Sequence, residues 1–289
     1  MDKIKIRDVN LLLLIVLMLT FIVKHPYSHI LTLIITQAWA GRNDLKLRDF
    51  LYLNRPIVSI VLLSMIIGVL LALMNVFNYF YFRFSIESIG EDKFSLSMST
   101  FWFLFSICFF GPLVEELFFR GFLYNFYKKK GILTAVTLSS MFFSIFHFNL
   151  HGIIMIFILG VFLALLYEIT QCFWIPVLIH CSINAVGTLL LSEPMIGSLN
   201  DFLFWLHGDN VWFFRIKLLF VSIMLCIFTI LVMFLVMRIS GNNIFEGRKI
   251  KDLISINKND DEPLIDKYFI SVFIIFIGII VWALFFMQS

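Results

Sequence analysis

The sequence predicts an all-α protein, a polytopic transmembrane helical bundle of eight or nine spans, and three observations carry that expectation. Hydrophobic residues make up 61% of the 289 and charged residues 14%, whereas a soluble domain runs closer to half apolar and a quarter charged. The mean hydropathy is +0.98. The apolar residues are gathered into runs, many of them near the ~18 residues that mark a membrane-crossing helix.

In chain order the runs lie at about 9–23, 28–40, 57–80, 99–117, 132–148, 152–169, 173–191, 213–238 and 268–287. Charges precede the first run as in a signal peptide, but no small-residue cleavage pattern follows Val23, so it is expected to stay as an uncleaved span. The run 28–40 is short and holds Thr and Gln, which makes it the candidate for a re-entrant or interfacial segment and leaves the count at eight or nine. The stretches 83–98 and 240–266 are the main polar segments. The apolar texture is uniform and no internal repeat appears. One membrane domain over 1–289 is therefore expected, with its motif-bearing core at about 99–191.

Positive charge sets the orientation, because cytoplasmic loops collect Lys and Arg. The clusters are Lys3, Lys5 and Arg7; Arg42, Lys46, Arg48 and Arg55; Lys128 to Lys130; and Arg238, Arg248, Lys249 and Lys251. With nine spans all of them fall on one side; with eight the first is stranded opposite the rest. Nine spans in the cell membrane, with the N-terminus cytoplasmic, is the favoured arrangement. A net charge of +3 is too small to suggest a nucleic-acid partner. Cys108, Cys172, Cys181 and Cys226 sit in apolar runs with no Cys-x-x-Cys pair, so neither a disulfide framework nor a zinc knuckle is indicated.

Residues able to do chemistry are concentrated in the middle of the chain. In the stretch from Gly111 to Tyr124 the ionisable Glu115, Glu116 and Arg120 interrupt an apolar run. At a helix centre in a bilayer each such group costs about 2.5–3.5 kcal/mol, so its presence points first to function. The plainer reading is an ion pair marking a helix end. Residues four apart share a helix face while neighbours point about 100° apart, so Arg120 should pair with Glu116 and leave Glu115 facing elsewhere without a local cation. A carboxylate shielded from bulk water can act as a general base. Pro112 cannot donate to the carbonyl of Cys108, which offers a kink where water could reach Glu115.

His147 ends the run 132–148, and His151 follows four residues later. Two histidines at that spacing can share a metal, but Asn149 and an expected turn interrupt the helix, and His151 reads more simply as an interfacial residue. His180 and Asn184 are four apart on one face of the run 173–191, where a polar interhelical contact is the plainer reading. Taken together, Glu115 could deprotonate water, His147 could hold it, and His180 with Asn184 could donate to an oxyanion. The set Glu115, His147 and His180 could instead bind a divalent metal such as zinc that lowers the pKa of bound water. These residues fit both schemes.

Glu-Glu-x-x-x-Arg at Glu115, Glu116 and Arg120, Phe-x-x-x-His at Phe143 and His147, and His-x-x-x-Asn at His180 and Asn184 occur in that order on successive runs. This set resembles the CAAX protease and bacteriocin-processing family (CPBP, or Abi), which includes the Ras-converting CAAX endopeptidases. The resemblance covers about 111–186. It implies an intramembrane endopeptidase in which Glu115 activates water, His147 assists, His180 and Asn184 form the oxyanion site, and Glu116, Arg120 and Phe143 support them. The family is often labelled metalloprotease, and a glutamate-dependent reading that requires no cofactor is also held for it. The implied partners are the lipid bilayer and a peptide or protein substrate in it: a prenylated CAAX tail, a pheromone or bacteriocin precursor, or another membrane protein.

Two other functions use the same features. A non-enzymatic bacteriocin immunity or membrane scaffold protein would keep the fold but has no need of Glu115. A transporter would also carry intramembrane charge, but it calls for inverted repeats, and none is visible.

Overall fold

The computed structural model describes residues 4–23, 27–83, 99–149, 152–192, 195, 211–240 and 263–286. Most of the polar stretches 83–98 and 240–266, together with His151, lie outside them. Among the described residues the regular structure is helical, apart from one isolated antiparallel bridge between Leu53 and Cys172.

The helices are α1 (Ile6–Ile22), α2 (Tyr27–Arg42), the short α3 (Leu47–Phe50), α4 (Val58–Arg83), α5 (a continuous helical run, 99–130), α6 (Ile132–Phe146), α7 (Ile153–Thr170), α8 (Trp174–Leu190), α9 (Val211–Ser240) and α10 (Lys267–Phe286). Each apolar run of the sequence becomes a helix. The run 99–117 continues as helix to residue 130, and 28–40 forms an unbroken helix of 16 residues. Among the described residues, four helices are long and apolar enough to cross a membrane: Val58–Tyr81, Phe101–Lys130, Ile153–Thr170 and Trp212–Ser240. At 1.5 Å per residue the 30 residues of α9 span about 45 Å, more than the ~30 Å of a hydrocarbon core. Ile132–Phe146, Trp174–Leu190 and Lys267–Gly278 are apolar but shorter.

The helices form two compact units. The first contains Met1–Asn54, Val114–Phe173 and Ile244–Ser289. In it α1 packs on α2 and α10, and α6 packs on α7 and on the later part of α5. Its core is aromatic. Phe119 meets Phe143 and Phe146 edge-on at 5.3 Å, and Trp39 meets Phe122 at 5.0 Å. Lipid tails are as apolar as these rings, so close packing and hydrogen bonds, rather than escape from water, must hold such a unit together. The helix α2 follows that rule. Its buried residues are Ser28, His29, Thr32, Thr36 and Ala40, while Ile30 and Ile34 face out. At three- and four-residue spacing the polar residues make one inward face.

The second unit contains Arg55–Leu113 and Trp174–Asn243. Here α4 packs against α8 and α9. A side-chain carbon at Gly68 would lie 2.6 Å from Ser182 Cβ, so only glycine allows α4 and α8 to approach this closely. Two buried hydroxyls are satisfied within their own helices: Ser64 donates to the Ile60 carbonyl at 2.7 Å and Thr229 to that of Leu225 at 2.8 Å.

Candidate active site

The helix α5 is not a uniform α-helix, and its departures are local and explicable. Pro112 has no N–H. The turn before it, Ser106–Phe110, widens to π geometry, and Gly111 donates to the Ser106 carbonyl five residues back. The next donor in that register would be Pro112, so the Ile107 carbonyl has no such donor. Asn184 Nδ2 meets it at 2.9 Å. Asn184 thus has one amide N–H engaged on backbone, within the second unit, and one remaining. The opening expected at Pro112 is a widened turn, a feature frequent at functional sites. A second π stretch, Leu117–Tyr124, follows the two glutamates.

Glu115 and His147 come together because of a helical hairpin within the first unit. The helix α5 ends at Lys130, and Gly131 alone separates it from α6. Gly131 has φ 119° and ψ 155°, a conformation that side chains other than hydrogen disfavour. Glu115 stands 16 residues before Gly131 and His147 stands 16 after it (131 − 115 and 147 − 131). Equal rises up two antiparallel helices bring the two residues level, about 24 Å from the turn. Had α5 ended at residue 117, an antiparallel return over 132–148 would have set the two residues far apart in height; its continuation to Lys130 levels them. Glu115 also falls near the middle of the apolar span Phe101–Lys130.

At the level of Glu115 three side chains meet. His29 Nε2 lies 2.9 Å from Glu115 Oε1, and His147 Nε2 lies 3.7 Å from Glu115 Oε2. The Glu115 and His29 side chains are 12% and 10% exposed and that of His147 30%, so the carboxylate is shielded while one imidazole keeps an open edge. His147 Nδ1 lies 2.8 Å from the Phe143 carbonyl. A carbonyl only accepts, so Nδ1 carries the proton and, in the neutral ring, Nε2 presents its lone pair toward Glu115. The spacing of Phe143 and His147 is therefore that of a ring bonded to the carbonyl one turn back.

Glu116 and Arg120 form the expected pair. Arg120 Nη1 donates to Glu116 Oε1 at 3.0 Å, and both side chains are fully buried. Arg120 Nη2 donates to the Gly160 carbonyl at 3.2 Å, and the guanidinium lies 4.3 Å from the centre of the Phe143 ring. Arg120 thereby ties α5 to α6 and α7. Gly160 allows this closeness, since a carbon added there would sit 3.0 Å from Ser140 Cα.

Arg120 is the partner of Glu116, as the one-turn spacing implies, and Glu115 has a partner from elsewhere in the chain. That partner is His29, contributed by a helix far from the three motifs. The run 28–40 carries no motif, and length and polarity alone do not single out His29. An ionisable residue within an apolar run was the available signal. His180 lies on α8 in the second unit, buried at 2% exposure, with Asn184 one turn on. Among the described residues no group of three His, Cys, Asp or Glu side chains makes a metal site. His29 Nε2 is directed onto a glutamate oxygen.

Residues 97–186 match the family model described as type II CAAX prenyl endopeptidase Rce1-like. Over 86 residues the chain is 30% identical to "Putative membrane peptidase YdiL" of Bacillus subtilis (strain 168). That match covers 29% of this chain and spans about a third, 35%, of the relative. No solved structure matches. The stretch carrying Glu115, His147 and His180 is thus similar to the Rce1-like CAAX prenyl endopeptidases, the resemblance that its three motifs carry.

Proposed function

We propose that this chain is a CAAX-type intramembrane endopeptidase that cuts membrane-associated or prenylated peptides with water activated by Glu115. The observation that supports this reading best is the pair Glu115 Oε2 and His147 Nε2, 3.7 Å apart in a shielded part of an apolar helical unit. One water can lie within hydrogen-bond distance, about 2.8 Å, of both atoms. It donates one proton to each, which leaves its lone pairs directed at the substrate. As the water oxygen bonds to the scissile carbonyl carbon, its proton passes to Glu115. When the tetrahedral intermediate collapses, the C–N bond breaks and Glu115 returns that proton to the leaving amine.

The oxyanion role of His180 and Asn184 is kept from the resemblance. Glu116, Arg120 and Phe143 act as support, holding α5, α6 and α7 in register around Glu115. The proposed topology is nine spans with the N-terminus in the cytoplasm, on the strength of the Lys and Arg clusters. The functional test compares processed membrane and secreted peptides of cells carrying the wild type or Glu115→Gln, with a prenylated CAAX reporter peptide added to their membranes. Uncut reporter and unprocessed precursors are expected with Glu115→Gln alone. Identical peptide profiles and equal reporter cleavage in the two strains would rule the enzyme out.

A further inference from the structure

We propose that His29 is a positioning residue for Glu115, holding Oε1 so that Oε2 is the oxygen that takes the proton from water. This rests on the reading of Glu115 as the base. The two carboxylate oxygens are not equivalent. Oε1 lies 2.9 Å from His29 Nε2, within the range of a charge-assisted hydrogen bond, whereas Oε2 lies 3.7 Å from His147 Nε2, too far for a direct one. An ionised carboxylate only accepts, so His29 Nε2 carries the proton and donates it. His147 is oriented the other way, with its proton on Nδ1 toward Phe143. The two imidazoles thus present opposite faces to one carboxylate: a donor to Oε1 and, across a gap of water size, an acceptor beside Oε2.

The reason for this division lies in α5. Glu115 sits between the π turn Ser106–Phe110 and the π stretch Leu117–Tyr124, and its neighbour Glu116 takes the guanidinium of Arg120. A donor from another helix resists rotation of the carboxylate and exchange of its oxygens. The helix α2 supplies that donor from its buried polar face. It lies outside the residues 97–186 matched by the family model, so the proposed site draws on a part of the chain that the three motifs do not reach.

The test measures kcat and KM for a prenylated CAAX reporter peptide, with full-length protein in bilayer discs, for His29→Leu, His29→Gln and Glu115→Gln. Gln places an N–H close to where Nε2 stands but cannot titrate. A misplacement of ~1 Å lowers a rate by about 100-fold. His29→Leu is therefore expected to lose kcat on that scale with KM within a few-fold of wild type, and His29→Gln to recover most of the loss at an unchanged melting temperature. Full activity in His29→Leu overturns the proposal. So do equal losses in both His29 variants, or losses that follow melting temperature and KM, which would mark a merely structural histidine. Retained activity in Glu115→Gln is a different failure: it removes Glu115 as the base and with it the reading on which His29 depends.

Discussion

Two shielded carboxylates of the first unit, Glu115 and Glu168, keep very different company, and the contrast sets the proposed chemistry apart from scaffolding. Glu115 faces two imidazoles, one at 2.9 Å and one at 3.7 Å. Glu168, near the end of α7, faces Lys128 at 2.7 Å and the hydroxyls of Tyr124 at 3.0 Å and Tyr52 at 3.3 Å. Lys128 also donates to Tyr52, and the Tyr52 N–H donates to the Tyr167 hydroxyl at 3.1 Å. Asn125 reaches the same hydroxyl and the Phe50 carbonyl, so the segment after α3 is fastened to α5 and α7. Lysine and tyrosine keep their protons near neutral pH, so the Glu168 cluster is a set of fixed hydrogen bonds. Imidazole is the side chain type that exchanges protons most readily near neutral pH, so the Glu115 cluster is the one proposed to move a proton. Between the two clusters the buried Glu116–Arg120 pair is a third case, charged and fixed.

The largest effect should come from the mobile cluster. Glu115→Ala is expected to lower processing by at least about 100-fold, the scale of a lost general base, while the protein still inserts and accumulates. Immunoblots of membranes beside a reporter assay measure both. Full activity would falsify the assigned base.

The fixed charged pair comes next, and there the loss should appear in stability. Removing one partner of a buried ion pair destabilises by about 3–5 kcal/mol. Glu116→Ala or Arg120→Ala should therefore lower the melting temperature and the protein level. The reversed pair, Glu116→Arg with Arg120→Glu, should recover more than either single reversal. It should not reach wild type, because the contacts of Arg120 with Gly160 and Phe143 are lost. A double reversal no better than the singles counts against the pairing.

Smaller effects sharpen the contrast. Gly131→Ala forces a side chain into a conformation that glycine tolerates, a strain of about 2 kcal/mol. It loosens the turn that levels Glu115 with His147, so both melting temperature and activity should fall; an unchanged melting temperature would remove the turn from the account. Glu168→Gln keeps acceptors for the two tyrosines and leaves Lys128, 28% exposed, open to water. About 1 kcal/mol of stability should be lost, as for a partly exposed pair, with activity per folded molecule unchanged.

Much of this was legible in the sequence because hydropathy and spacing act over long stretches. Each apolar run became a helix, and the one-turn spacing of Glu116 and Arg120 became a pair. The approach of Glu115 to His147 could be reasoned out from the need to share a water, and the equal 16-residue arms around Gly131 are its sequence signature. Other features were not legible, for physical reasons. The widened turns of α5 are changes of hydrogen-bond register, to which hydropathy is blind. His29 and Glu115 are 86 residues apart, and Tyr52 and Glu168 are 116 apart, so those contacts depend on helix packing that no local pattern encodes. The part played by Asn184 at the Ile107 carbonyl required knowing that Pro112 leaves that carbonyl without a donor.

The most direct measurement compares turnover of a prenylated CAAX reporter by Glu115→Gln and Glu168→Gln, side by side with wild type in bilayer discs at equal folded protein. The account expects a loss of about 100-fold or more in Glu115→Gln at an unchanged melting temperature. In Glu168→Gln it expects near-wild-type turnover at a slightly lower melting temperature. Turnover that survives in Glu115→Gln, or that vanishes in folded Glu168→Gln, would contradict the separation of a proton-moving site from a fixed scaffold.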